Sequence, residues 1–340
     1  MGRSASASLF ISLLLVSQAA AAPTVEILPV RILDHRARPI SIAVQFPEGL
    51  ASITGVAANF NGIPVVEFLL QFITELTAVS ARIDIPPLAF PAGTEGLFEF
   101  SLQTTAGSAQ DTLQIAVPPP GAVIGYSVRS DADDRLYRID LLSGAATMIG
   151  PVGSQDVEGL GFDPNGVLYG VDDEGQRLIT IDLDTGAGMV IANIATSVED
   201  IGLAFDGAGV CWLTSSEPRA NLYSVNPQTA ALTLEDFLPK AVNGLAAENG
   251  FLYGLAVNGS TTILRIEPAG GSVITLGSLS LPDVDDGGLD FDAAGTLWGI
   301  EEDGGKIFTI DTATGRGTLR ATTLTDFEGL AIVPPLPASR

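Results

Sequence analysis

Residues 158–186 read EGLGFDPNGVLYGVDDEGQRLITIDLDTG, and the chain returns to this pattern until its end. The Gly-Leu pair near the start recurs as Gly159-Leu160, Gly202-Leu203, Gly244-Leu245, Gly288-Leu289 and Gly329-Leu330. The leucine-to-leucine steps are 43, 42, 44 and 41 residues. A fixed period of this length suits four-stranded propeller blades, although some helical repeats share it. The contents of each unit decide. After Gly-Leu comes an Asp/Asn/Gly turn (Asp163-Pro164-Asn165-Gly166, Asp206–Gly209, Glu248-Asn249-Gly250, Asp292–Gly295). An apolar and aromatic run follows, such as Val167–Val171 or Thr296–Ile300, then a polar loop and a third run such as Leu178–Asp182 or Ile307–Asp311. A tight Thr-Gly turn precedes a fourth short run. Four short strands spaced by turn residues, with no helical period, make one blade.

The ends complete each other. Residues 123–150 hold three strand-like runs and lack the opening one, whereas Glu328–Val333 is an opening strand with nothing after it. The pattern predicts a five-bladed β-propeller over 123–333 whose first blade is closed by the C-terminal strand, a seam that leaves no free sheet edge.

Residues 1–22 read as a secretory signal: Arg3 at the start, Leu9–Val16 as the apolar centre, small residues from Ala19 to Ala22. The apolar run is too short to span a bilayer, and no later run is long enough. No cysteine lies near the cleavage zone and the tail 334–340 carries no anchor, so the expectation is an exported protein, secreted or periplasmic, soluble and monomeric. Cys211 is the only cysteine, read as an inert core thiol beside Trp212, so stability rests on burial rather than disulfides.

The net charge is −24, and residues 121–340 alone hold 31 acids against 11 bases. Such a surface repels nucleic acid and anionic membranes, and leaves a protein or a glycan as partner. His35, in an Asp34–Arg38 turn, is the only histidine. The repeats therefore lack imidazole chemistry: no histidine-assisted nucleophile and no histidine-ligated zinc.

Residues 23–118 differ in texture. Six or seven short runs spaced by Pro and Gly predict an immunoglobulin-like β-sandwich. Among them Val65–Phe72 reads first as a strand, with a short helix as the alternative. Residues 119–122 form a Pro-rich linker.

The candidate site is the segment leading into each opening strand: Asp156-Val157-Glu158, Glu199-Asp200, Val242-Asn243, Asp285-Asp286 and Asp326-Phe327-Glu328. In a propeller these segments rim one mouth of the central channel. A ring of hard oxygen ligands suits Ca²⁺, which takes about 6–8 oxygens. The candidate ligands are Asp156, Glu158, Asp200, Asn243, Asp285, Asp286 and Glu328. The residues directly before Gly-Leu are Glu158, Ile201, Asn243, Gly287 and Glu328, so the register is not uniform. The same acids also read as solvated turn caps, or as a catalytic acid pair. Acid clusters between second and third strands (Asp131–Asp134, Asp172–Glu174, Glu301–Asp303) lack calcium-loop spacing and read as solvated loops. The aromatics Tyr169, Trp212, Tyr253 and Trp298 recur at one position per unit and read as packing between blades. No residue set fixes a catalytic donor and nucleophile.

The unit GLxFDxxGxLYGVD…LxxIDxxTG resembles the repeats of secreted bacterial β-propeller proteins over about 121–333. That resemblance implies the fold and leaves function open. The calcium-dependent, gluconolactonase-like lactonases are similar in using Glu, Asn and Asp ligands at the propeller mouth, which implies Glu158, Asn243 and Asp285 or Asp286 here. Five-bladed glycosidases, with separated carboxylates around the channel, offer a second likeness. The sequence thus predicts an exported binding or scaffold propeller with Ca²⁺ at the channel mouth, and as alternative a metal-dependent hydrolase.

Overall fold

The computed structural model describes residues 21–28, 31–32, 40–86, 93–117, 121–130, 134–257, 260–268 and 272–333. Residues 1–20 of the expected export signal, the His35 turn, the Asp131–Asp133 cluster and residues 119–120 of the Pro-rich linker lie outside them. The described chain is nearly all β. It divides into two compact units, one of 1–28, 41–84 and 98–112, the other of 29–40, 85–97 and 113–340.

The N-terminal strands form two sheets. One orders Thr24–Leu28, Ile40–Gln45, Ser80–Ile85 and Ile73–Leu76; the other orders Arg31–Ile32, Gly107–Ala116, Glu95–Thr104, Ile53–Phe60 and Ile63–Pro64. Alternation along these strands buries Ile40, Ile42 and Val44, and in the other sheet Phe98, Phe100 and Leu102. The segment expected as a strand over Val65–Phe72 is instead a helical turn, Val66–Leu69, continued as a 3₁₀ turn, Leu70–Phe72. Its side chains explain the correction. Leu69 is buried while Phe68 and Leu70 are exposed, and Phe68 meets Phe72 edge-on at 5.1 Å, an i,i+4 pair that only a helical turn brings together.

From residue 124 to 332 the chain folds into five four-stranded antiparallel sheets. Four are consecutive in sequence. The fifth joins Ile124–Arg129, Arg135–Asp140 and Ala146–Pro151 to the final strand Phe327–Ile332, as the matching ends predict. Ser127 reinforces this seam by donating its hydroxyl to the carbonyls of Glu328 (2.9 Å) and Gly329 (2.7 Å).

The opening strands Val157–Phe162, Gly202–Phe205, Val242–Glu248, Gly287–Phe291 and Phe327–Ile332 contact one another in a closed cycle, and Val157–Phe162 also approaches two strands across it. They surround a narrow central channel, the arrangement of a β-propeller. The Gly-Leu pair is what this requires. A Cβ built at Gly202, Gly244, Gly288 or Gly329 would fall under 3.0 Å from the next opening strand, and one at Gly159 under 3.0 Å from the Ile201 carbonyl that leads into it, so only glycine lets five backbones crowd one axis. Each following leucine is buried at 2% exposure or less. Five apolar clusters fill the spaces between consecutive sheets. Burial at about 25 cal/mol per Å² of apolar surface drives their formation.

The recurrent aromatics belong to these clusters. Tyr126 meets Phe162 (5.7 Å), Tyr169 meets Phe205 (5.0 Å) and Tyr253 meets Phe291 (5.1 Å), each across neighbouring sheets. Trp212 and Trp298 donate their indole N–H to the turn acids Asp206 (3.0 Å) and Asp292 (2.9 Å). Cys211 is fully buried, and burial pushes its thiol pKa up, as an inert core cysteine requires.

Candidate functional site

All five opening strands start at one mouth of the channel, and the sequence decides what stands there. The turn leading in takes a left-handed residue at Asp156 (φ 56°), Asp200 (φ 48°) and Asp326 (φ 65°). Short acidic side chains tolerate that conformation better than most, so the backbone accounts for part of the acidic rim. Behind this rim stands a smaller, drier group. Glu158, Asn243, Asp286 and Glu328 come from four different opening strands or their lead-in residues, and all are buried or half-buried.

Their bonds tie neighbouring strands together. Glu158 Oε2 accepts the Ile201 amide at 2.6 Å. Asn243 Nδ2 donates to Asp286 Oδ2 at 2.9 Å, and Asp286 Oδ1 accepts the Gly287 amide. Ser130 donates its hydroxyl to Glu328 Oε1 at 2.9 Å. One atom is left over: Asn243 Oδ1 is buried without a hydrogen-bond partner, and a carboxylate neighbour gives it nothing to accept. An unsatisfied buried acceptor costs about 1–3 kcal/mol.

The electrostatics match. Burial pushes Glu158 up to about 8, helped by the charges of Asp173, Asp156 and Asp286 and opposed by the Ile201 hydrogen bond. Burial likewise pushes Asp286 up to about 6 against its two hydrogen bonds. Glu328 is raised by burial and then by Glu302, with which it shares a hydrogen bond; Asp286 adds to the effect. The ion pairs formed among the described residues do not reach Glu158, Asp286 or Glu328. Carboxylates buried together with no cation are held in a state that an added cation relieves.

Two acids from the loops after the second strands complete the mouth. Asp173 lies with Asp156 and Glu158, and Glu302 with Asp286 and Glu328; within each trio oxygen atoms lie within 4.8 Å of one another. Asp173 is pushed up to about 6 by burial and by Asp156.

The seven candidate ligands therefore separate. Asp286 holds Asn243 by a hydrogen bond and lies in one trio with Glu328, while Glu158, in the neighbouring trio, feels the charge of Asp286. Asp156 is exposed but beside Glu158. Asp285 is exposed and lies by Glu301 and Asp303. Asp200 is exposed and accepts the Ser216 hydroxyl at 2.7 Å. Glu302 and Asp173 join the group although the sequence reads their loops as solvated. That reading is corrected more sharply at their neighbours, because Asp172 and Glu301 are fully buried. Asp172 is bonded by Arg177 and Glu301 by Lys306 (3.3 Å), and both also accept a loop glycine amide. The signal was present: each loop carries a base five residues after its buried acid.

No protein-family model matches the chain, and no curated protein matches its sequence. Solved structures are similar at low identity. A chain of a nidogen–laminin complex is 14% identical with TM-score 0.43, covering 72% of this chain and 98% of that one. A gluconolactonase from Xanthomonas campestris is 18% identical with TM-score 0.43, covering 64% and 87%. A protein of unknown function from Bacteroides thetaiotaomicron is 14% identical with TM-score 0.44, covering 93% and 96%. Likeness at this level leaves function to the chain's own residues.

Proposed function

We propose that this chain is an exported, cation-binding five-bladed propeller, carried after an N-terminal immunoglobulin-like module, with a Ca²⁺-class ion at the channel mouth. The observation that carries the reading is the orphaned Asn243 Oδ1 among Glu158, Asp286 and Glu328. A neutral carbonyl oxygen and three carboxylates from different strands form a hard-oxygen donor set, and water completes the coordination such an ion prefers. The same ion would satisfy Asn243 and neutralise the buried acids, and both effects favour the loaded state.

The test is a thermal melt of the mature protein in Ca²⁺ and in EDTA. At 100-fold excess over Kd the ligand adds about 2.7 kcal/mol, or about 5–10 °C for a propeller of this size. Asn243→Ala should lose that shift. An equal melt in Ca²⁺ and EDTA sinks the proposal. Mg²⁺ should give a smaller shift, because its octahedral demand suits a multi-carboxylate mouth poorly.

A second reading is kept for one reason. Burial pushes Glu158 up to about 8, and it stands where the repeat is broken, with Ile201 and Gly287 at equivalent positions. A carboxyl that holds a proton near pH 7 suits general acid catalysis, which supports a metal-dependent hydrolase of lactones or glycosides. Turnover of such a substrate by the parent, lost in Glu158→Gln, would separate enzyme from binding module.

A further inference from the structure

The opposite mouth of the channel, where the opening strands end, holds a cavity of about 350 Å³. Phe162, Phe205 and Phe291 contribute to its wall, and all five of its charged residues are acids. Two departures from the repeat meet here. Asp290 stands where the other opening strands carry Gly161, Ala204, Ala246 and Ala331. Ala247 stands where three of the others carry phenylalanine and the fourth Ile332. One change places a carboxylate at a position of small residues; the other removes a large side chain and makes room beside it. Both line the same cavity, which is independent of the cation site at the other end.

Asp290 has a structural duty, since it accepts the amides of Ile332 (2.6 Å) and Phe291 (2.7 Å). Each oxygen keeps a lone pair beyond those bonds. Glu248 and Asp292 add negative charge around it, and burial raises its pKa to about 7. An apolar, aromatic wall with carboxylates and, among the described residues, no base favours a cation that also carries hydrocarbon: the acids complement the charge and the phenylalanines cover the hydrocarbon.

We propose that this cavity binds a small organic ammonium ion with an apolar body, its charged head towards Asp290 and Glu248 and its body against the phenylalanines. The volume lies at the lower end of ordinary small-molecule sites, about 300–1,000 Å³. An inorganic ion would leave the apolar wall unused, and an anion would meet five acids.

The experiment is calorimetry on the mature protein in EDTA, with benzylammonium as probe, benzyl alcohol as its neutral counterpart and benzoate as the anion. Benzylammonium should bind, with benzyl alcohol at least about tenfold weaker and benzoate absent. Ala247→Phe, which restores the residue of the other repeats, should weaken benzylammonium at least about tenfold while melting as the parent does. Glu158→Gln at the far mouth should leave it unchanged. If Ala247→Phe fails to fold, Asp290→Asn serves in its place and should show the same loss. No heat with benzylammonium up to about 10 mM, equal binding of the alcohol, or full binding by a folded Ala247→Phe variant would overturn the proposal.

Discussion

Adjacent residues in one loop meet opposite fates. In Asp172-Asp173 and again in Glu301-Glu302, the first acid is fully buried and bonded to a base, Arg177 or Lys306. The second turns to the channel mouth, where it meets other acids and no base. The two loops align residue for residue, with a glycine three positions after the first acid and the base five after it. Burial alone therefore does not mark a ligand. A buried acid whose counter-charge is built into the chain holds a loop, whereas one without it is free for a cation from solution.

The largest effects should come from breaking the satisfied pairs. Arg177→Met strands Asp172, and Lys306→Met strands Glu301, each leaving a charge in the interior. Removal of one partner from such a pair typically costs about 3–5 kcal/mol. Denaturant unfolding should show that loss with the denaturant slope unchanged, and Ca²⁺ should not restore it. A loss under about 1 kcal/mol would mean the pairs are solvent-screened after all.

The unsatisfied acids should behave in the reverse sense. Glu158 has a folded pKa near 8, above its ordinary 4.5, and Glu328 is also raised. A raised carboxylate binds more protons folded than unfolded, so its contribution is full below about pH 4.5 and is lost as pH climbs through the folded value. In EDTA the unfolding free energy should therefore fall from pH 5 to pH 9, at up to ~1.4 kcal/mol per pH unit for each such group, and the melting temperature with it. Ca²⁺ should flatten that decline and bind more tightly as pH rises, releasing protons. Glu158→Gln keeps an acceptor for the Ile201 amide without the charge. It should melt above the parent at pH 9 in EDTA, match it at pH 5, and lack the Ca²⁺ shift. A parent melt that is flat with pH in EDTA would remove the electrostatic basis of the comparison.

The same contrast explains what the sequence disclosed. The propeller was legible because its rules are local: Gly where backbones crowd, Leu between sheets, Asp and Gly in the turns. Each recurs at a fixed step and needs no knowledge of distant contacts. The mouth was legible only as a set of acids. Whether Glu158 or Asp200 is dry depends on strands some forty residues away, and the orphaned oxygen of Asn243 exists only once its amide has turned to Asp286. The misread loops are the instructive case. Asp172 and Glu301 looked solvated because charged runs usually are, but the base five residues later was a local signal of burial. Val65–Phe72 misled because apolar runs of that length fit strand and helix alike, and one buried leucine between exposed neighbours settled it.

The smallest effect should come at Asp200, and it tests where the comparison draws its line. Asp200 is exposed, holds a left-handed backbone and accepts the Ser216 hydroxyl, yet the sequence counts it with the ligands. Asparagine is one of the few residues as tolerant of that backbone, and its side-chain oxygen can accept the same hydroxyl. Asp200→Asn should thus change stability by no more than about 0.5 kcal/mol. The Asp200 charge raises Asp286 and Asp173 from a distance, so removing it should lower their pKa values slightly and leave the Ca²⁺ shift in place. Melts in Ca²⁺ and EDTA, run beside Asn243→Ala, make the comparison direct. If Asp200→Asn loses the shift and Asn243→Ala keeps it, the ion sits on the exposed rim and burial is the wrong criterion. If the order is as expected, the ligands are the acids that the chain itself leaves without a counter-charge.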